Sequence, residues 1–289
     1  MESMENHRWT RWASGVTIED MDVLRYSAFT TDPHGGNPAG VVLGAGHLGD
    51  DEMLRIAAEL GYSETAFVDG DRVRYFSPLA EVDFCGHATI ATAVALAERF
   101  GAGPMRFHTN AGEIAVETTV ADGQVTATLT SAPAHSRPAT ATELDEVLAA
   151  LRWDRADLDP AFPPHVAFAG NEHFVLAAGT RERLAKLDYD FEALGDVMSR
   201  GGWTTVHLVW AESAELFHAR DPFPPGGVVE DAATGAAAAA FGGYLRTIGK
   251  LGSGRFTVLQ GEDMGRPSVL TVEVDDRPGI RVTGTAVRI

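Results

Sequence analysis

A chain of 289 residues, with 45% hydrophobic and 22% charged side chains, has the composition of a folded domain protein and the length for about two domains. Its 23 basic against 41 acidic side chains leave a formal charge of −18, which repels phosphate backbones and anionic bilayers, so neither nucleic acid nor a membrane is an expected partner. A single cysteine, Cys85, excludes an internal disulfide, a multi-cysteine zinc or iron–sulfur centre and any mechanism that needs two thiols.

Met1 to Gly15 is polar and lacks the apolar stretch of a signal peptide, so the protein reads as cytoplasmic and residues 1–20 as a loosely held tail. The alternation of Asp22–Phe29 predicts a strand, followed by a turn-rich segment, His34–Gly40, and a short strand, Val41–Leu43. Asp50 is placed to cap a helix that presents Met53, Ile56, Ala57 and Leu60 on one face and stops at Gly61. Residues Glu64–Val68 and Arg72–Phe76 read as a hairpin about Asp69-Gly70-Asp71, and Glu113–Thr119 with Gln124–Thr130 as another about Ala121-Asp122-Gly123. Between them lies a helix, Ala88–Phe100, closed by Gly101.

The two prolines of Ser131–Thr140 mark a boundary, after which Thr142 and Asp145 resemble a capping box for a helix through Trp153. Strands are expected at His165–Ala169, Phe174–Ala178 and Thr204–Trp210, and helical stretches at Thr180–Leu187 and Phe191–Arg200. A proline- and glycine-rich loop, Asp221–Gly227, leads to an alanine-rich helix, Thr234–Ile248, and strands return at Phe256–Gln260, Ser268–Val274 and Ile280–Ile289. The order of elements repeats: each half has strands, a tight polar turn and a long helix of small residues. Cys85 and Thr234, in the two turns, stand 149 positions apart, half the chain. The expected fold class is therefore α+β with two similar lobes facing across a cleft and a boundary between them at Ser131–Thr140. A helix start entering from each side would offer unpaired N–H groups and a positive dipole end to a carboxylate ligand.

Five motifs carry a resemblance. Asn37-Pro38-Ala39-Gly40-Val41-Val42-Leu43, Ser63-Glu64-Thr65-Ala66-Phe67-Val68, Cys85-Gly86-His87-Ala88-Thr89, Glu230-Asp231-Ala232-Ala233-Thr234-Gly235, and Gln260-Gly261 with Gly265-Arg266-Pro267-Ser268 resemble the PhzF-like family of phenazine-biosynthesis isomerases, in family order. The resemblance implies the diaminopimelate-epimerase fold, with each lobe a mixed sheet or small barrel around a central helix and the last strand returning to the first lobe, so that residues 21–130 with 280–289 form the first lobe and 131–279 the second. It also implies cofactor-free isomerisation, typified by trans-2,3-dihydro-3-hydroxyanthranilate, frequently in a homodimer. The family's acid/base glutamate falls on Glu64, its Gly-His turn on Gly86 and His87, and its aspartate on Asp231. Two positions depart from the pattern: Ala232 replaces a proline, and Ala236 a serine whose hydroxyl would bond substrate.

Residue by residue, Glu64 sits where a carboxylate beside an apolar strand suits proton transfer to and from carbon. At a helix start the dipole keeps His87 neutral, as a hydrogen-bonding ring. Asp231 is expected to cap the following helix and to bond a substrate amine or hydroxyl, with Glu230 solvated. Asn37, Gly86, Thr234, Gly235 and Ala236 are the expected substrate-binding positions. Cys85 reads as a packing residue, and the scattered histidines offer no expected metal site. No dinucleotide fingerprint or P-loop is present, so no cofactor is expected.

The leading expectation is a cofactor-independent isomerase of a small amino- and carboxyl-bearing metabolite in secondary metabolism. Its rivals are another reaction on the same scaffold, such as carbon–carbon bond hydrolysis or a tautomerisation, and a non-catalytic protein that binds small ligands or other proteins.

Overall fold

The computed structural model describes residues 21–289; the tail expected at residues 1–20 lies outside them. The chain divides into two compact units. The first holds the described residues through His34, Pro38–Leu129 and Gly284–Ile289, and the second holds Gly35–Asn37 and Thr130–Thr283.

The first unit runs β1 (Asp22–Ala28), β2 (Asn37–Leu43), α1 (Asp50–Leu60), β3 (Glu64–Asp69), β4 (Arg72–Phe76), β5 (Glu81–Val82), α2 (Gly86–Phe100), β6 (Pro104–Thr109), β7 (Gly112–Ala121) and β8 (Gln124–Pro133). β2 lies parallel to β3 and β4 to β6, while the hairpins β3–β4, β6–β7 and β7–β8 are antiparallel. The strands enclose α2, whose residues 87–97 are all buried and which packs against β1, β3 and β7. Alanine and threonine dominate this helix, so strands approach it on every side. A helix apolar all round belongs in a core, and an added methylene group at Ala91 or Ala93 would cost about 1–3 kcal/mol by overpacking. α1 lies outside the strands, with Met53, Ile56 and Ala57 set against Val42, Phe67 and Phe76.

The second unit runs β9 (His135–Pro138), α3 (Ala141–Leu151), β10 (His165–Phe168), β11 (Glu172–Ala177), α4 (Arg181–Ala185), α5 (Phe191–Gly201), β12 (Trp203–Ala211), β13 (Leu216–Phe223), β14 (Val228–Asp231), α6 (Gly235–Thr247), β15 (Gly254–Gln260) and β16 (Ser268–Val274). Here too two parallel pairs, β11–β12 and β13–β15, alternate with antiparallel ones. A buried helix, α6, packs against β9, β10, β11 and β16. α3 and α5 bury Leu148, Leu151, Leu194 and Met198 with Phe174 and Trp203.

The last strand, β17 (Gly279–Arg288), has residues in both units: Arg281–Thr283 pair with β16, whereas Ala286–Arg288 pair with Ala28–Tyr26 of β1. Because β17 also pairs with β8, and β1 with β2, the first unit's strand pairing closes into a barrel. Among the described residues no helix is long and apolar enough to cross a membrane.

Several boundaries differ from expectation. Gly49, not Asp50, is the N-cap of α1, and Asp50 joins Asp51 and Glu52 in the first turn, where acidic groups complement the dipole. α3 starts earlier than expected, capped by Thr140 and Glu143 rather than Thr142 and Asp145. The longer glutamate reaches back to the cap N–H, at 2.7 Å. The segments expected as loops at Ser131–Thr140 and Asp221–Gly227 hold the end of β8, β9 and the end of β13. Pro222 is accommodated where β13 turns its pairing to β14 through a register shift.

Candidate active site

In the first unit, parallel pairing sets Glu64 opposite Ala39 at the start of β3. The residues after it, Thr65–Val68, are buried, while its own side chain keeps 13% exposure. Cys85 is the N-cap of α2, which places His87 in the first turn of that helix. The three side chains converge. Glu64 Oε2 lies 3.5 Å from Cys85 Sγ and 3.5 Å from His87 Nε2. Cys85 Sγ lies 3.3 Å from His87 Nδ1, and Ser63 Oγ lies 3.4 Å from His87 Nε2. Thr89 braces the turn by donating to the Cys85 carbonyl at 2.7 Å, and its hydroxyl meets Tyr75 Oη at 2.6 Å. Burial lowers the His87 pKa below its ordinary value; the Glu64 charge and a hydrogen bond to the Pro38 carbonyl oppose it without cancelling it. The ring is therefore neutral at pH 7, as the helix start led us to expect.

In the second unit, Asp231 ends β14 just before α6 and is held from several directions. Asn37 Nδ2 donates to Asp231 Oδ1 at 2.6 Å and to the Ala233 carbonyl at 3.2 Å. Thr234 Oγ1 donates to Asp231 Oδ2 at 2.7 Å. Gln260 locks the turn: its Nε2 donates to the Asp231 carbonyl at 2.9 Å and its Oε1 accepts the Thr234 N–H at 3.0 Å. Local backbone chemistry makes this geometry possible. Gly36, at φ 68°, accepts from the Arg266 Nε at 2.7 Å through its carbonyl, and this bond ties Asn37's segment into the second unit. At Gly261, φ 76°, a Cβ would run into the carbonyl oxygens of Arg266 and Ala232. Burial drives the Asp231 pKa up to about 7; the neighbouring Asp221 charge adds to this, while the bonds from Thr234 and Asn37 oppose it.

The expected site residues thus fall into two groups. Glu64, Gly86 and His87 are together in the first unit; Asn37, Asp231, Thr234, Gly235 and Ala236 are together in the second. Gly86 and Ala236 are partly exposed, whereas Gly235 is buried. Two expectations are corrected. Asp231 does not cap α6: Thr234 is the N-cap, and its hydroxyl serves Asp231 instead. Glu230 is not solvated but is held by Arg220 at 2.8 and 2.5 Å, because an arginine on the adjacent strand is aligned to grip it bidentately.

Both groups also contain polar members that the motifs do not mark as site residues. Cys85 was expected only to pack, yet its Sγ faces Glu64 and His87; the signal was the Cys-x-His spacing at a helix start. Behind Asp231 lies a buried chain in which His173 Nδ1 meets Thr205 Oγ1 at 2.9 Å, Thr205 donates to Asp221 at 2.7 Å, and His207 Nδ1 meets Asp221 Oδ2 at 2.9 Å. With Thr205 donating to Asp221, its oxygen accepts from His173. Burial lowers His173 to a pKa of about 3, so that ring stays neutral.

Comparison with known proteins identifies the family. Residues 26–289 match the family described as phenazine biosynthesis-like protein. The chain belongs to that family. It is 31% identical to trans-2,3-dihydro-3-hydroxyanthranilate isomerase of Pseudomonas chlororaphis, over 90% of this chain and 94% of that protein. It is 30% identical to an uncharacterized isomerase of Bacillus subtilis, over 93% of this chain and 97% of the relative. The crystal structure of the Bacillus anthracis phenazine biosynthesis protein of the PhzF family superposes with a TM-score of 0.84 at 27% identity, covering 93% and 97% of the two chains. The protein is an enzyme, an isomerase of PhzF-like type, and its fold is the α+β fold that the motifs implied.

Proposed function

We propose that the protein is a cofactor-independent isomerase that moves a proton within a small, unsaturated amino-carboxylate resembling trans-2,3-dihydro-3-hydroxyanthranilate. The observation that carries this reading is the Glu64 carboxylate, partly exposed beside the Cys85 thiol and the neutral His87 ring, in a chain 31% identical to an enzyme named for that isomerisation. Glu64 takes a proton from one carbon and returns it to another, a role that requires a carboxylate not committed to a strong fixed bond. His87 hydrogen-bonds and orients the substrate. The N–H groups at Gly86 and Gly235, in helix first turns without intrahelical acceptors, stabilise negative charge that develops during transfer. Asp231, aligned by Asn37 and Thr234, bonds a substrate amine or hydroxyl.

One observation favours a related substrate over the named one. Ala236 stands where the family places serine, so a hydroxyl that would meet substrate is replaced by a methyl group. The reading also includes a cytoplasmic location, tested by cell fractionation, and a homodimer, tested by sedimentation of the purified protein. The decisive experiment is turnover of a set of amino-carboxylates in deuterated water by desalted, chelator-treated enzyme. Deuterium entering a carbon position of the product supports the proposal. Binding with no exchange in any ligand would favour the non-catalytic binder, and a requirement for an added nicotinamide or metal would reject the cofactor-free reaction.

A further inference from the structure

We infer that Asp221 is a positioning residue for Asp231, its partner on the adjoining strand. Clasped in the interior by Thr205 and His207, Asp221 holds the negative charge of the pair, and Asp231 meets the substrate as a neutral hydrogen-bond donor. The two aspartates stand opposite each other in the β13–β14 ladder. Such partners share a face of the sheet, with Cβ atoms roughly 5 Å apart. The Asp221 side chain is wholly buried and cannot touch a substrate, whereas Asp231 keeps 9% exposure.

The direction of the hydrogen bonds around Asp221 follows from the two histidines behind it. His173 and His207 are fully buried, and among the described residues neither Nε2 has a hydrogen-bond partner. A buried N–H without an acceptor is rarer than an unused lone pair, so each ring carries its proton on Nδ1. His173 then donates to Thr205, Thr205 donates to Asp221, and His207 Nδ1 donates to the same carboxylate. Every donor in this chain points toward Asp221, which accepts as the anion. A proton on Asp221 would face hydrogens already aimed at it, whereas one on Asp231 can turn to the exposed edge. Two like charges in one buried site do not both ionise, so the proton stays on Asp231.

Asn37, Thr234 and Gln260 hold Asp231 from its other sides and carry no charge. Arg220 and Glu230, on the same two strands, are committed to each other. Burial is the main reason that Asp231 is pushed up to about 7, and the Asp221 charge adds to it against the bonds from Thr234 and Asn37. A carboxylic acid kept neutral in this way donates its O–H. It therefore recognises a hydroxyl oxygen or an uncharged amine and not an ammonium group.

The consequence for recognition rests on the proposed contact between Asp231 and substrate; the hold on the proton does not, and the test separates the two. Infrared difference spectra of full-length, ligand-free protein are recorded on both sides of pH 7. The protonated-carboxyl band that Asp231→Asn removes belongs to Asp231. We expect its midpoint to fall by about one pH unit in Asp221→Asn, which keeps the size and removes the charge. It should fall likewise in Thr205→Val, which withdraws a donor from Asp221, and return in Thr205→Ser, which restores one. Circular dichroism confirms each fold, and Thr205→Val decides the matter if Asp221→Asn does not fold. A midpoint unmoved in the folded variants, or no such band in wild type below pH 7, would overturn the inference. With that shift, KM for trans-2,3-dihydro-3-hydroxyanthranilate at pH 7 should rise about fivefold in Asp221→Asn, the ratio of the acid-form fractions, with kcat unchanged. The two KM values should converge at lower pH. A KM that falls as Asp231 ionises would mean that the anion grips an ammonium group and would overturn the donor role. A shifted band with KM unchanged in Asp221→Asn would remove Asp231 from contact with substrate and leave the hold of Asp221 on its proton intact.

Discussion

Two turns, each opening a buried, alanine-rich helix, hold their acidic groups in opposite ways. At the start of α2 the Glu64 carboxylate has a 3.5 Å contact to the His87 ring and a 3.5 Å contact to the Cys85 sulfur, the second of ordinary length for the larger sulfur atom. Before α6 the Asp231 carboxylate is gripped at 2.6 and 2.7 Å, with Gln260 fastening the backbone around it. Charge-assisted bonds are at full strength near 2.7–2.9 Å. A long contact to the ring and a weak one to the thiol leave Glu64 able to change partners as a proton moves, whereas short bonds fix Asp231 in place at the cost of its freedom. A loosely held acid suits transfer and a saturated one suits alignment, which is the division of roles proposed for Glu64 and Asp231.

The sharpest way to break that contrast is Glu64→Gln. It preserves size and hydrogen bonding but removes the transferable proton, so kcat should fall by on the order of 10²–10⁴ with KM and melting temperature nearly unchanged. A loss confined to KM would make Glu64 a binding group, and the loose turn would lose its assigned role.

Asp231→Asn addresses the tight turn through pH. The folded-state pKa of about 7 lies above the ordinary 3.8, so folding favours the protonated acid. That stabilisation is complete below pH 3.8 and is lost progressively as pH rises toward about 7. The neutral asparagine has no such dependence. Denaturant titrations from pH 4 to 8 should therefore show the variant gaining on wild type with rising pH, by up to roughly 4 kcal/mol at 1.36 kcal/mol per unit. A constant difference across that range would mean that Asp231 is ionised in the folded protein throughout.

His87→Asn is expected to reduce turnover at least about tenfold less than Glu64→Gln does, because a ring that orients substrate leaves the proton carrier in place. Steady-state kinetics of the two variants on one substrate make the comparison. Equal losses in kcat would give His87 a proton-transfer role and spread the chemistry over the whole loose turn.

How far these turns can be read from sequence differs for the same physical reason. The α2 turn is nearly contiguous: Cys85, Gly86 and His87 are neighbours, and Glu64 is one strand away, after Gly61 ends α1 in the left-handed conformation that glycine permits. Hairpins such as β3–β4 carry their own Asp-Gly signal. The group around Asp231 is assembled from distant segments. Asn37 is 194 positions from its partner, and Gln260 is 29. Thr205, His207 and Asp221 meet only because β12 and β13 pair in one register, and β13 was hidden because Pro222 reads as loop. Periodicity shows which residues face inward, but not which buried polar groups will meet. The fold class followed from pattern and motif order, whereas the partners of Asp231 required the structure.

The smallest expected effect falls on Ala236, where the two turns can be compared through a single hydroxyl. Its side chain is partly exposed in the first turn of α6, so serine fits without repacking, and a surface-type change of this kind alters stability by at most about 0.5 kcal/mol. A new hydrogen bond to substrate contributes about 0.5–1.5 kcal/mol, which corresponds to roughly 2- to 12-fold in affinity. Ala236→Ser should therefore lower KM for a hydroxyl-bearing substrate such as trans-2,3-dihydro-3-hydroxyanthranilate within that range. Because the bond forms equally in ground and transition states, kcat should stay put. For an analogue without the hydroxyl, KM should be unchanged or higher. A gain in kcat instead would place the serine hydroxyl in the proton-transfer step and assign chemistry to the turn proposed to bind substrate. Equal behaviour toward both compounds would remove Ala236 from substrate selection and leave Asp231, with its saturated carboxylate, as the second unit's contribution to recognition.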